Sequence, residues 1–437
     1  MRLANLKNEH IFSLYRNQKN QIMNPKILVI SCEAFSDSNS NGRTIKNMLF
    51  YIPKSCMAQF YIHGNPDTVF CEHYFKVSDN DALRAFLGKG PSQSLTNEAQ
   101  NTETKKHLKP KRSYRNLVLR NIVWQSWQWW TKDFDTFLQS FAPDIVLLQA
   151  GDSPFMYSIA IRVASLCKAK LVMYNSESYV LKRYMYASTK KSNFWHFLLM
   201  SSLKKQYRKF MKRADYCIYS MEALETAYQK KYPHINKSCS LYTVSELSSL
   251  PDKSSEVFSL LYCGNLGVGR DKPLAELAKT LYEVDKTAIL DIYGRFRNKE
   301  SEMLVCNNPN VHYHGFVDYE VLPNLMSNAS MLVHCENNDR LENLRYAFST
   351  KIADSIASTR PFLVYASREY PFIQYLQKQD CAHITSTPNE LKDVLKECIE
   401  NKQYRFQYAE NARLTALKNH NKKANCSKIV EIFKQFV

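Results

Sequence analysis

Residues 261–273 read Leu261-Tyr262-Cys263-Gly264-Asn265-Leu266-Gly267-Val268-Gly269-Arg270-Asp271-Lys272-Pro273, and the fold turns on this stretch. An apolar strand ends at Cys263, glycines follow at 264, 267 and 269, Arg270 comes next, and a helix starts near Pro273. Glycine lets a backbone approach a ligand closely. A helix N-terminus offers unpaired N–H groups and the positive end of a dipole, and arginine adds a planar bidentate donor. Together these suit a diphosphate. The bland alternative is a strand–helix turn with an incidental arginine.

A second constellation, Phe348–Pro361 (FSTKIADSIASTRP), points the same way. Ser349 and Thr350 can cap a helix. Lys351 falls in its first turn, where the dipole disfavours a cation unless an anion is near. Asp354, one turn on, shares the face of Lys351 and could take both hydroxyls of a ribose. A solvated pair with Lys351 is the plainer alternative.

Working outward, short apolar runs alternate with helical patterns. Lys26–Ser31, Met57–Ile62, Asp144–Gln149, Lys170–Tyr174 and Tyr216–Tyr219 are the strands expected before a polar stretch at Ser245–Glu256. Phe258–Cys263, Ala288–Tyr293, Val311–His314, Met331–His334 and Phe362–Tyr365 are those expected after it. Between them lie helical stretches such as Arg43–Tyr51, Pro273–Val284 and Ser349–Ala357. This alternation predicts an α/β protein of two doubly wound domains, residues 1–245 and 257–437, facing a central cleft. The last helix is expected to pack back on the N-terminal domain. Residues 88–112, rich in Gly, Ser, Asn, Gln, Thr and Lys, read as a mobile insertion loop.

The 437 residues are too many for one ordinary core. No uncharged apolar run of about 18 residues occurs, so no transmembrane helix is expected. Twelve dispersed cysteines without a C-x-x-C pair read as buried reduced thiols and a cytoplasmic setting. The formal net charge is +18. Lys105, Lys106, Lys109, Lys111, Arg112, Arg115 and Arg120 form one basic cluster, and Lys204, Lys205, Arg208, Lys209, Lys212 and Arg213 another. No groove-reading helix or RNP-like strand accompanies them, so nucleic acid is not the expected partner. An anionic membrane surface is. Trp127, Trp130 and Phe134, with Trp124 and Trp129 nearby, are spaced to share one helical face, read as core packing or, more sharply, as an interfacial helix.

Residues 257–370 resemble the nucleotide-binding domain of retaining GT-B glycosyltransferases, the large bacterial family that builds capsule, lipopolysaccharide and exopolysaccharide. The resemblance rests on Cys263-Gly264-Asn265-Leu266 followed by Arg270, on Ile292-Tyr293-Gly294, on Asn310-Val311 with Gly315-Phe316-Val317, and on Asp354 seven residues before Pro361. It implies a GT-B fold and a nucleoside-diphosphate sugar as donor substrate, with no separate cofactor and no metal. Arg270 and Lys351 would hold the diphosphate with help from Thr350, Gly264 and Asn265. Asp354 would bind the ribose, and Gly294 and Val317 would flank the base. Gly42, in the loop after the first strand, would approach the phosphates from the other domain. The chain departs from the family in carrying Asp354 for Glu, Thr359 for Gly, and Tyr346 where a second acid is usual. Glu336 is the candidate for that second acid, ahead of Glu342.

The N-terminal half matches only in outline. His63, Asp152 and Glu177 each follow a strand and are the acceptor-side candidates, with His63, Asp152 and Glu336 the catalytic set. The expected activity is hexosyl transfer to a saccharide acceptor, lipid-linked in surface polysaccharide synthesis. The alternative keeps the fold but changes the reaction, as in a nucleotide-sugar epimerase.

Overall fold

A computed structural model describes residues 24–37, 40–90, 113–182, 193–233, 237–338 and 341–436. Two parallel sheets organise it. The first runs β3-β2-β1-β4-β5-β6-β7, from β1 (Ile27–Ile30), β2 (Met57–Tyr61), β3 (His73–Lys76), β4 (Ile145–Gln149), β5 (Lys170–Asn175) and β6 (Tyr216–Tyr219) to β7 (Ser238–Ser240). The second runs β10-β9-β8-β11-β12-β13, from β8 (Ser259–Asn265), β9 (Ile289–Arg295), β10 (Val311–Gly315), β11 (Met331–Cys335) and β12 (Phe362–Tyr365) to β13 (His383–Thr385). Both follow the doubly wound order in which the first strand lies inside and the chain reverses direction beside it.

The sequence explains the layers. β1 (ILVI) and β4 (IVLLQ) are buried at every position, as strands covered on both faces must be. Helices α1 (Ser40–Met48), α2 (Asp79–Phe86), α3 (Tyr114–Gln125), α4 (Lys132–Phe141), α5 (Pro154–Leu166), α6 (Phe194–Arg213) and α7 (Glu222–Lys231) surround the first sheet. The second carries α8 (Asp271–Val284), α9 (Lys299–Cys306), α10 (Leu322–Asn328), α11 (Leu341–Leu344), α12 (Thr350–Ser358), α13 (Pro371–Gln379), α14 (Pro388–Glu400), α15 (Lys402–Phe406) and α16 (Ala409–Thr415).

After a π-helical turn at Ala416–His420 the chain crosses back, and α17 (Lys422–Lys434) packs Ile429, Ile432 and Phe433 into the core under β1 and β4. Cys426 Sγ meets the Asn47 carbonyl of α1.

Two expectations are corrected. Gly42 lies inside α1, not in a loop, because the helix begins at Ser40. The tryptophans do not share a helical face either. α3 stops at Gln125, Trp127 turns to a left-handed φ of 63°, and Phe134 belongs to the next helix. Trp124 and Trp129 are core residues, while the Arg162 guanidinium covers Trp127 and Trp130 at 4.7 and 4.3 Å. Most of the 88–112 segment, with Lys105, Lys106, Lys109, Lys111 and Arg112, lies outside the described residues. Among the described residues no helix is long and apolar enough to cross a membrane.

Candidate functional site

A cavity of about 570 Å³ lies between the two domains. Gly264, Asn265, Gly294, Val317, Thr350, Lys351 and Asp354 line its C-terminal wall, and Arg43, Thr44 and Tyr174 line the N-terminal one. The wall depends on two glycines. Gly294 pairs with Gly264 across β8 and β9. At φ 156°, a Cβ on Gly294 would stand 1.9 Å from the Gly264 carbonyl oxygen, which no side chain permits. A Cβ on Gly264 would press on Lys351 Cε and the Tyr262 hydroxyl, both at 2.9 Å. The Lys351 stem therefore lies directly on the strand.

Ser349 caps α12, its side chain accepting from the Lys351 N–H. Burial lowers the Lys351 pKa, and the neighbouring Arg270 charge acts in the same direction. Lys351 makes no ion pair among the described residues, so a desolvated cation stands on the cavity wall. One turn on, Asp354 Oδ1 accepts from the Ser245 hydroxyl at 2.6 Å and the Tyr319 hydroxyl at 3.0 Å. Burial raises the Asp354 pKa, opposed by those hydrogen bonds and by the Arg43 charge. At the end of α12, Thr359 adopts the left-handed φ of 56° that glycine usually fills, and its hydroxyl lies 2.6 Å from that of Ser249.

Arg270 does not line the cavity. It is buried as the N-cap of α8, and two of its nitrogens donate to Glu336 Oε1. A third donates to the Asn265 carbonyl at 3.1 Å, and His334 Nε2 stands 3.3 Å from the same Glu336 oxygen. Burial alone would raise the Glu336 carboxyl, but the Arg270 charge, the nearby His334 ring and the hydrogen bonds from Arg270 hold it at about 2. With Asn337 Nδ2 donating to the Gly269 carbonyl, the cluster braces the glycine turn against the end of β11.

Away from the cavity, in the N-terminal domain, Arg120 Nε donates to Asp79 at 2.6 Å and its terminal nitrogens reach Ser153 Oγ at 3.1 Å and His63 Nε2 at 3.4 Å. His63 also stands 3.5 Å from Asp79. Asp152 adjoins Ser153 at the end of β4. The structure thus brings His63 into this network, and the Asp152 charge acts on Arg120, but neither lines the cavity, and Glu336 belongs to the other domain. Glu177 pairs with Lys182 at 3.7 Å, and Glu342 is exposed on α11. Gly42 is not on the wall, whereas its neighbour Arg43 is. Sequence reasoning missed Arg43, Ser245, Tyr319 and Phe316. Arg43 stood next to a glycine already singled out, and Phe316 within the Gly315–Val317 landmark; no spacing marked Ser245 or Tyr319. Among the described residues no group of three or more His, Cys, Asp or Glu side chains could hold a metal ion.

Residues 270–431 match the family described as glycosyl transferase-like. No curated protein matches the chain in sequence. Among solved structures it is similar to HepE of Anabaena in complex with UDP and glucose, with a TM-score of 0.62 and 11% identity over 94% of this chain and 100% of that one. It is also similar to sucrose-phosphate synthase of Thermosynechococcus elongatus, at 0.61 and 11% over 94% and 98%. WaaG, a glycosyltransferase involved in lipopolysaccharide biosynthesis, gives 0.54 and 15% over 93% and 99%. The fold is GT-B. The chain thus shares the GT-B fold of these structures, and its residues 270–431 carry the glycosyl transferase-like match.

Proposed function

We propose that the protein transfers a hexosyl group from a nucleoside-diphosphate sugar to a saccharide acceptor. The observation that carries this reading is Lys351, a desolvated cation without an ion pair among the described residues and lying on Gly264, with Asp354 one helical turn away in the same cavity. In this reading Lys351 takes the diphosphate, assisted by the N–H groups at the start of α12 and by Arg43 from the other domain. Asp354 takes the ribose, and Gly294 and Val317 flank the base. Arg270 acts from behind by holding the glycine turn. These cations neutralise the diphosphate, so no divalent metal is required; activity lost in EDTA and restored by magnesium or manganese would contradict that. Retention of the donor's anomeric configuration follows from the likeness of residues 257–370 to the retaining family, and NMR of the product decides it. Thermal shift with UDP, GDP, ADP and their sugars tests the reading. A ligand at a hundred times its Kd should add about 2.7 kcal/mol; no shift with any of them removes it.

The acceptor in this reading is lipid-linked, and the protein meets it on an anionic membrane in surface polysaccharide synthesis. What supports this is the face formed by α3 with α2 and α6, both of which pack against it. Phe86, Leu119, Ile122, Phe194 and Phe197 are exposed there, with Lys204, Lys205 and Arg208 on the same α6 helix. Each cation near an anionic surface contributes about 1 kcal/mol, weakened by salt. Phe194→Ser with Phe197→Ser should reduce co-sedimentation with vesicles containing anionic lipid at low salt. Equal binding by the variant, or by neutral vesicles, would exclude this face.

A further inference from the structure

We propose that Tyr319 is a positioning residue that sets the Asp354 carboxylate for the nucleotide's ribose and, through Arg43, makes that setting depend on the opposite domain. This rests on the reading of Asp354 as the ribose acceptor. Tyr319 opens a short turn, Tyr319–Val321, beyond β10, and its hydroxyl donates to Asp354 Oδ1. The Ser245 hydroxyl, from the segment joining the domains, donates to the same oxygen. Among the described residues Asp354 Oδ2 takes no hydrogen bond. A carboxylate turns freely about its last bond, so pinning one oxygen from two directions orients the other. Oδ2 is then the acceptor presented to a ribose hydroxyl, already aligned before the ligand arrives.

The phenol ring has a second partner. The Arg43 guanidinium lies over it, 4.2 Å from the ring centroid, while an Arg43 terminal nitrogen donates to the Asp37 carbonyl at 2.9 Å. Arg43 belongs to α1 and hence to the N-terminal domain, and Arg43, Tyr319 and Asp354 all line the same cavity. One side chain therefore carries the ribose carboxylate on its hydroxyl and a cation of the other domain on its face. Separating the domains would take Arg43 off the ring and loosen the phenol that holds Asp354. A stacked cation over a partly desolvated ring favours the closed arrangement. Ribose binding and domain closure then support each other, and by linkage the coupling is reciprocal.

The test uses the intact protein and the ratio of two affinities, because Arg43 also borders the place proposed for the diphosphate. Calorimetry compares UDP with 2′-deoxy-UDP, or the GDP or ADP pair if thermal shift favours that base. Wild type should prefer the ribonucleotide. Tyr319→Phe, which keeps the ring and loses the hydroxyl, should shrink that preference by about threefold or more, the effect of one hydrogen bond. Arg43→Ala should shrink it too, and the double variant no further than Tyr319→Phe alone. Loss of packing, or of a phosphate contact at Arg43, would weaken both nucleotides equally and leave the ratio unchanged, which overturns the proposal. Equal wild-type affinities would remove the ribose role of Asp354. Failure of wild type to bind any of the three nucleotides would remove the donor-site reading and this proposal with it.

Discussion

Each sheet sets an arginine, a carboxylate and a histidine together at the C-terminal ends of its strands. In the C-terminal domain the set is Arg270, Glu336 and His334, whose side chains are 11%, 6% and 3% exposed. In the N-terminal domain it is Arg120, Asp79 and His63, at 21%, 40% and 42%. The chemistry is alike and the solvation is opposite. A pair withdrawn from water is wholly committed to itself, since removing either partner strands a buried charge. A half-exposed pair is worth little to stability, and its histidine stays open to solvent and to other partners. The buried set braces the glycine turn, which in the proposed reading leaves Lys351 as the cation for the donor diphosphate. The open set stays within reach of solvent and of a second substrate.

The largest effect should follow from breaking the buried set. Arg270→Ala or Glu336→Ala should cost about 3–5 kcal/mol in chemical denaturation, whereas Asp79→Asn should cost less than about 1 kcal/mol. Similar losses at the two sites would erase the distinction. A pH effect comes next, from the place where the chain crosses between domains. His420 is buried there, Nδ1 2.7 Å from the Thr243 carbonyl and Nε2 2.8 Å from the Tyr375 hydroxyl, and burial lowers its pKa to about 4. The unfolded chain binds that proton near pH 6.5, ahead of the folded one. Stability from this group is therefore complete above pH 6.5 and falls as pH drops toward 4, by about 3 kcal/mol. His420→Gln should flatten that slope in pH-dependent denaturation, and an unchanged slope would count against it.

Lys351→Ala should weaken nucleoside diphosphate binding by about 10- to 150-fold, the range for a charge-assisted hydrogen bond, with no loss of stability. A fall in stability with unchanged affinity would exchange the roles of Lys351 and Arg270. The smallest effect belongs to the open set. His63→Gln and Asp152→Asn should leave nucleotide affinity within about twofold while lowering turnover with acceptor. A turnover equal to wild type would return both residues to the surface.

The donor wall was the more legible of the two. Gly264, Thr350, Lys351 and Asp354 were marked in the sequence by a glycine at a strand end, a capping pair and an acid at helical spacing, Gly294 and Val317 by the family resemblance, and all line the cavity. Those signals are local, so a linear reading reaches them. Burial of Arg270 against Glu336 is a contact across 66 residues, and no local pattern says that the guanidinium faces inward. Tyr319 and Arg43 meet only through the arrangement of the domains. Ten strands were readable: nine are inner strands, whose burial makes them apolar runs, and the tenth, β10 (VHYHG), lies at a sheet edge with no buried residue. β3 (HYFK), β7 (SCS) and β13 (HIT) were not, since edge strands of three or four residues have one neighbour and need little apolar surface. The tryptophan helix misread a spacing: Trp127 breaks the period with a positive φ that its residue type does not announce.

A structure of the protein with a bound nucleoside diphosphate tests the central claim most directly. The account predicts phosphate oxygens within about 3 Å of Lys351 Nζ, a ribose hydroxyl on Asp354, and the Arg270–Glu336 pair intact behind them. A nucleotide seated against Arg120 and His63, or one whose phosphates draw Arg270 away from Glu336 while Lys351 stays idle, would contradict it.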